Sequence, residues 1–166
     1  MATATPLFGT NTSLTVTGLT TLASDANLLA GWQSGIIEAA TVDDMDLQMG
    51  FRFVGNTSAP TTAKQIEVWA GACLDGPSGT LFAGGLTGSI GAITLTAVRK
   101  AQLQLVRILP TDAVVSGVYN IAAVSMTSVF GGITVPRRFV LFVVHNMGLA
   151  LSNAAIYYDP VNIESA

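Results

Sequence analysis

The chain of 166 residues is half hydrophobic and only 10% charged, with a formal net charge of −3, whereas an average soluble domain is about 25% charged. This length predicts one domain, residues 1–166, with a sizeable core, and the scarcity of charge indicates that part of the surface contacts protein rather than water. The few scattered Lys and Arg residues argue against direct nucleic-acid binding, and no apolar run of about 18 or more residues predicts a membrane-spanning helix.

The chain ends and the cysteine content bear on where the protein is made. The first residues have neither the basic segment nor the continuous apolar segment of a secretory signal, and Cys73 has no second cysteine to pair with. This pattern predicts synthesis in a reducing cytoplasm. An N-terminal arm, residues 1–12, and a C-terminal tail, residues 160–166, carry little charge. We expect these ends to be either disordered or ordered on a neighbouring subunit.

Alternation of apolar and polar residues is the dominant local pattern and predicts about eight strands. Its clearest example is residues 47–53, where Leu47 and Phe51 share one face and Arg52 lies on the other. Residues 66–70 repeat the pattern, and the two runs are expected to pair as antiparallel neighbours. The other predicted strands are residues 13–17, 32–38, 101–109, 118–124, 139–145 and 154–158. This arrangement predicts an all-β fold, a jelly-roll-like antiparallel β-sandwich with long loops and little helix.

Three stretches depart from simple alternation. Residues 138–145 are apolar without alternation, which predicts a central strand covered on both faces, or covered by the core on one face and by another subunit on the other. Residues 22–30 contain Ser24 and Asp25 as possible N-caps for at most a turn or two of helix. Residues 81–98 hold too many glycines for a helix and predict a long irregular connection with room for one short strand.

Residues that carry catalytic or metal-binding chemistry are few. His145 is the only histidine and ends an apolar strand, so we interpret it as structural, and Cys73 as a small buried hydrophobe. One Cys and one His cannot build a zinc site, and the cluster of Asp43, Asp44 and Asp46 lacks the spacing of a calcium-binding loop. We therefore predict no enzymatic activity, no catalytic residues, no metal and no cofactor.

Aromatic and arginine side chains are the candidates for protein contacts. Trp69 lies on the polar side of its predicted strand, where it is either covered by a loop or a second sheet or exposed as an interface anchor. Two phenylalanines lie in glycine-flanked loops and need a surface to pack against, and two arginines precede the most apolar strand, where they can pair with carboxylates. The predicted interface residues are Trp32, Trp69, Phe82, Phe130, Arg137 and Arg138.

Four stretches carry a family resemblance. They are residues 28–35 (Leu-Leu-Ala-Gly-Trp-Gln-Ser-Gly), 61–70 (Thr-Thr-Ala-Lys-Gln-Ile-Glu-Val-Trp-Ala), 128–139 (Ser-Val-Phe-Gly-Gly-Ile-Thr-Val-Pro-Arg-Arg-Phe) and 143–151 (Val-Val-His-Asn-Met-Gly-Leu-Ala-Leu). In the same order, these stretches resemble pieces of small tailed-phage virion proteins of the capsid cement or decoration type, which are encoded near major capsid genes. Residues 81–98 have no counterpart in that resemblance.

The resemblance implies a jelly-roll-like sandwich that oligomerises on the outer surface of a capsid and stabilises contacts between major capsid protein subunits. The implied partners are the major capsid protein and further copies of the chain, with a dimer favoured over a trimer. The implied location is the virion, after synthesis in the cytoplasm of the host bacterium. Such a protein needs broad neutral surfaces and no active site.

Two other functions fit the same residues. The first is a tail, neck or head-fibre component of a phage, because such proteins also use oligomerising β-sandwiches. Alternatively, it is a carbohydrate-binding β-sandwich, in which aromatic side chains stack on sugar rings. The candidates for that stacking are Trp32, Trp69, Tyr157 and Tyr158.

Overall fold

The computed structural model describes residues 4–39, 44–60, 64–76, 78–132 and 134–165. Within these ranges the chain forms eleven strands and two short α-helices. The strands are β1 (Ala4–Phe8), β2 (Thr12–Ser13), β3 (Ala30–Gln33), β4 (Ile37–Glu38), β5 (Asp44–Val54), β6 (Lys64–Ala72), β7 (Gly91–Thr94), β8 (Gln104–Thr111), β9 (Val118–Ser125), β10 (Arg138–His145) and β11 (Asn153–Ser165). The helices are α1 (Ala97–Lys100) and α2 (Met126–Val129), and two 3-10 turns cover Leu19–Thr21 and Ala83–Gly85.

The strands form two antiparallel sheets. Sheet A has the order β1-β11-β5-β9, with β2 also paired to β11, and sheet B has the order β7-β3-β10-β6-β8, with β4 also paired to β10. From β2 onward, leaving out the short strands β4 and β7, the chain visits the sheets in the order A, B, A, B, B, A, B, A. This connectivity is that of a jelly roll, so the predicted jelly-roll-like β-sandwich is confirmed.

The main core lies between the two sheets and explains why these segments are strands. On β5, Leu47, Met49, Phe51 and Phe53 alternate with more exposed residues, and each of the four is at most 2% exposed. Inward-facing side chains of β6 and β10, among them Val68, belong to the same cluster. Because fully burying one such side chain contributes about 1.5–3 kcal/mol, this layer supplies much of the driving force for folding.

The predicted pairing of residues 47–53 with residues 66–70 is wrong. Strand β5 lies in sheet A between β11 and β9, whereas β6 lies in sheet B between β10 and β8. Alternation identifies the apolar face of a strand, but it does not say which sheet the strand joins. The apolar faces of both runs contribute to the core between the sheets.

Residues 22–30, where at most a turn or two of helix was expected, contain a turn and no helix. The Asp25 carboxylate accepts hydrogen bonds from the backbone N–H groups of Leu29 and Ala30, both at 2.7 Å, and Leu28 has a φ of 57°. These contacts close a turn instead of starting a helix. The same N–H groups hold the pKa of the Asp25 carboxyl below its ordinary value.

Three predicted strands differ in extent from the structure. Of residues 13–17 only Ser13 lies in a strand, β2, and residues 32–38 divide into the end of β3 and all of β4, with no strand at 34–36. Strand β8 begins at Gln104 because α1 and a turn occupy the residues before it. The N-terminal residues Ala4–Phe8 form the additional strand β1.

Strand β10 is buried on both faces, as the absence of alternation in residues 138–145 predicts. Its inward side chains join the main core, and Val140, Phe142 and Val144 point to the opposite face, where they form a second cluster. Residues 73–103, here called the cover, supply the other side of that cluster through Phe82 and further apolar side chains. The cover contains β7, so the short strand expected within residues 81–98 is present.

A buried network of hydrogen bonds and one ion pair, centred on Glu67, connects the cover to sheet B. The Lys100 ammonium lies 2.5 Å from Glu67 Oε2 and donates to the carbonyl oxygen of Leu28 at 2.8 Å. Trp69 Nε1 donates to Glu67 Oε2 at 2.8 Å, and Gln65 Nε2 donates to Glu67 Oε1 at 2.5 Å. The Glu67 carboxylate is thus surrounded by donors from two elements, which compensates for its burial beneath the cover.

Candidate interaction surfaces

The two tryptophans are occupied within the chain. Trp32 is 1% exposed in the main core, and its Nε1 donates to the carbonyl oxygen of Thr17 at 2.8 Å. Trp69 is half-buried against the second cluster, and the Lys100 ammonium lies 5.1 Å from the centre of its ring. Of the two alternatives expected for Trp69, cover by a loop is the one that the structure shows. Trp32 is therefore enclosed by the chain, whereas Trp69 keeps part of its surface exposed.

The two loop phenylalanines also pack within the chain. Phe82 is 1% exposed and belongs to the second cluster. Phe130 is half-buried and meets the ring of Phe139 edge-on, with 5.7 Å between centroids. The surface that each ring needs is therefore provided by the monomer, and only the outer part of Phe130 remains available for contact.

The two arginines differ in their surroundings. Arg138 forms an ion pair with Glu38, 2.6 Å from Nη2 to Oε1, and donates through Nη1 to the carbonyl oxygen of Gly79 at 2.7 Å. It thereby ties the cover to β10 and β4. Arg137 is exposed, with no ion pair among the described residues. Arg137 is the predicted interface residue that is most accessible to a partner.

Exposed apolar side chains mark a surface that the sequence analysis did not single out. They lie on β8, on the connection after it and at the start of β9, and each is between 42% and 55% exposed. We call Leu105, Ile108, Val114, Val115 and Val118 the open-edge residues. The sequence signal was present, since the adjacent Leu105 and Val106, and the adjacent Ile108 and Leu109, make β8 apolar on both faces.

Of the open-edge residues, Ile108 lines a gap between the two sheets, and Val114 and Val118 line a second depression that shares Pro110 with it. Strand β8 is an edge of sheet B, β9 is an edge of sheet A, and no ladder joins them. A cavity of about 460 Å³ lies between the strands, lined by residues 107–110 and 120–124. Tyr119 anchors the connection nearby, because its hydroxyl donates to Asp112 Oδ1 at 2.9 Å. Burial and that carboxylate raise the pKa of Tyr119 to about 12.

The chain ends form an exposed ribbon. Strand β1 pairs with the last part of β11, in a register that joins Phe8 to Val161 and Ala4 to Ser165. Leu7 is 52% exposed and Phe8 is 64% exposed. The arm and tail predicted at residues 1–12 and 160–166 thus pair with each other where they are described, and residues 1–3 and 166 lie outside the described ranges.

The titratable residues are dispersed. Among the described residues, no group of three His, Cys, Asp or Glu side chains lies close enough together to hold a metal ion. Asp43, part of the acidic cluster in the sequence, lies outside the described ranges. Cys73 is half-buried and donates to Asp75 Oδ1 at 3.0 Å. Burial and this neighbouring carboxylate raise the pKa of the Cys73 thiol, which disfavours the reactive thiolate.

His145 is fully buried at the end of β10. Its Nε2 lies 3.0 Å from the carbonyl oxygen of Leu22, and its Nδ1 has no hydrogen-bond partner. Burial lowers the pKa of the imidazole, so the neutral ring with a proton on Nε2 fits this environment. A buried ring that faces a backbone carbonyl and no nucleophile serves to connect β10 to residue 22.

We expect the stability of the protein to fall as the pH drops below about 6.5, the ordinary pKa of histidine. Below that pH the imidazole of His145 binds a proton in the unfolded chain but not in the folded chain. The free energy of unfolding therefore falls by up to about 1.4 kcal/mol per pH unit, until the pH reaches the pKa of His145 in the folded chain. Urea denaturation at several pH values measures this slope. His145→Gln, which keeps an N–H donor, should flatten the slope between pH 7 and 5. An unchanged slope in the variant would show that another group controls it.

No helix in the described ranges is long and apolar enough to span a membrane. No protein-family model matches the chain, and no curated protein or solved structure matches it either.

Proposed function

We propose that the chain is a structural virion protein of a tailed phage, a capsid cement or decoration protein without enzymatic activity. In this role it oligomerises on the outer capsid surface and stabilises contacts between major capsid protein subunits. The resemblance of four stretches, including residues 28–35 and 128–139, supports the proposal, as does the low charge of the whole chain.

The observation that carries the proposal is the set of open-edge residues. Five large apolar side chains on β8, the connection after it and the start of β9 are between 42% and 55% exposed, and three of them, Ile108, Val114 and Val118, line two depressions that share Pro110. Large exposed apolar groups of this kind are typical of protein interaction sites. The exposed Leu7 and Phe8 supply a second apolar contact region on the terminal ribbon. Several weak contacts of one oligomer with a repeating lattice give firm attachment when all of them can form together.

The first test is mass spectrometry with electron cryomicroscopy of purified phage particles that contain the protein. Hundreds of copies on the outer capsid lattice are expected. A few copies at one vertex or on the tail would contradict the cement role and favour a tail, neck or head-fibre component. Absence from the particle, together with glycan binding that depends on the exposed Tyr157, would favour a carbohydrate-binding module instead.

A second test assigns the docking surface. Particles that lack the protein are mixed with purified variants, and the bound copies are counted. Ile108→Lys should reduce occupancy severalfold, because a charge at an apolar contact is desolvated on docking. Gln104→Lys is the matched control, since Gln104 is an exposed polar residue on the same strand. Equal occupancy of both variants would exclude Ile108 from the docking surface.

A further inference from the structure

The outer edges of the two sheets differ in how they are protected from pairing with another chain. Proteins protect such edges with short strands, charges, proline or bulges. Strand β7 has only four residues, β1 contains Pro6, and β8 carries Arg107 and Pro110. Strand β9 has eight residues, none of them charged and none proline. Its one irregularity lies beyond Ile121, so residues 118–121 form a regular, unprotected edge.

The hydrogen-bond pattern shows which backbone groups of β9 are free. The Gly55 N–H donates to the carbonyl oxygen of Gly117 at 2.9 Å, so this opposed pair is hydrogen-bonded. In an antiparallel ladder hydrogen-bonded and non-hydrogen-bonded pairs alternate. The next pair, Val54 with Val118, is therefore non-hydrogen-bonded, and so is Arg52 with Asn120. The N–H and C=O groups of Val118 and Asn120 consequently point away from β5, toward the gap.

We infer that this edge of β9 pairs with the same edge of β9 in a second copy. The two strands run antiparallel, and the two-fold axis that relates the copies passes between their Tyr119 residues. In this register Val118 of one copy lies opposite Asn120 of the other. The free N–H and C=O groups of both residues then form two reciprocal pairs of hydrogen bonds across the axis. Sheet A thereby becomes one continuous sheet through the dimer.

Charge favours a second copy as the occupant. The exposed side chains of Val118 and Asn120 are neutral, so no like charges meet at the axis. The charged residue beside Asn120 in sheet A is Arg52 on β5. Two copies of Arg52 are separated by three strand spacings, about 14 Å, which exceeds the screening length of about 8 Å at physiological salt. The gap beside β9 leaves about 460 Å³ unoccupied by the chain's own strands.

The inference deepens the proposed function by naming the surface of self-association, and its test uses purified protein without particles. Sedimentation velocity over a concentration series should show a monomer that converts to a dimer. Val118→Lys should prevent the dimer, because it places charges beside the axis. Val98→Lys is the matched control, since Val98 is a 72% exposed valine on α1, away from β9. A wild-type chain that stays monomeric, or a dimer that Val118→Lys leaves intact, would overturn the inference without affecting the particle test.

A second measurement does not depend on how well a variant folds. Hydrogen–deuterium exchange of the wild-type protein is compared at low and high concentration. The amides of Val118 and Asn120 should exchange more slowly at high concentration, because they become hydrogen-bonded only in the dimer. A dimer in which these amides exchange equally at both concentrations would place the interface elsewhere and overturn the inference. Exchange in β7 serves as the internal reference.

Discussion

Replacing Lys100 with methionine should lower the free energy of unfolding by about 3–5 kcal/mol, because it leaves the Glu67 carboxylate buried without its ion-pair partner. The side chain of Glu67 is 7% exposed and that of Lys100 is 12% exposed, so water cannot replace the lost ammonium. The carbonyl oxygen of Leu28 also loses its donor. Urea denaturation at pH 7, followed by tryptophan fluorescence and circular dichroism, measures the loss.

Two controls separate the buried charge from the loss of packing. Arg99→Met alters the exposed neighbour on α1 and should change stability by no more than about 0.5 kcal/mol. The double variant Glu67→Gln with Lys100→Met removes both charges and should be more stable than Lys100→Met alone, since no unpaired charge remains buried. If Lys100→Met lowers the free energy of unfolding by less than about 1 kcal/mol, the contacts between Lys100 and Glu67 do not hold the cover on sheet B.

Replacing Phe82 with alanine should lower the free energy of unfolding by about 3–5 kcal/mol, which is the range measured when a buried phenylalanine is truncated to alanine. Phe82 is 1% exposed and packs on the outward side chains of β10, including Phe142. The adjacent Leu81 is 58% exposed, so Leu81→Ala is a matched control that should change stability by less than about 0.5 kcal/mol. Calorimetry of both variants gives the comparison.

The Phe82 result also shows whether the cover unfolds with the sandwich. If the cover is part of one cooperative unit, Phe82→Ala lowers the midpoint of the single transition. If the cover opens separately, the main transition stays where it is and the amides of residues 73–103 alone exchange faster. The second outcome would contradict our view that the two clusters stabilise one fold.

The sequence predicts the sandwich well because alternation reports directly on burial. Residues 47–53 alternate cleanly, and their apolar side chains lie in the core, as do Tyr119 and Ile121 of β9. The doubly buried strand β10 was predictable from its lack of alternation. The assignment of strands to sheets was not predictable from this pattern, because pairing depends on long-range topology that an apolar face does not encode.

The interface candidates were harder to predict because exposure depends on the cover. Trp69 lies on the outer face of sheet B, as expected from the alternation of side chains along β6. A glycine-rich segment without regular periodicity nevertheless folds over it. Phe82 belongs to that segment, and its burial requires the partner face of β10. Conversely, Leu105 and Ile108 looked like ordinary strand residues, and their exposure follows from the position of β8 at the edge of its sheet.

The position of β11 at the centre of sheet A affects how the protein can be synthesised. This strand pairs with β1 and β2 on one side and with β5 on the other, so the N-terminal strands have no partner until it is made. Sheet A therefore cannot close on the ribosome before β11 emerges, and until then β5 can pair only with β9. Such distant pairings are slow to form, and the nascent chain is expected to need protection from aggregation during that interval.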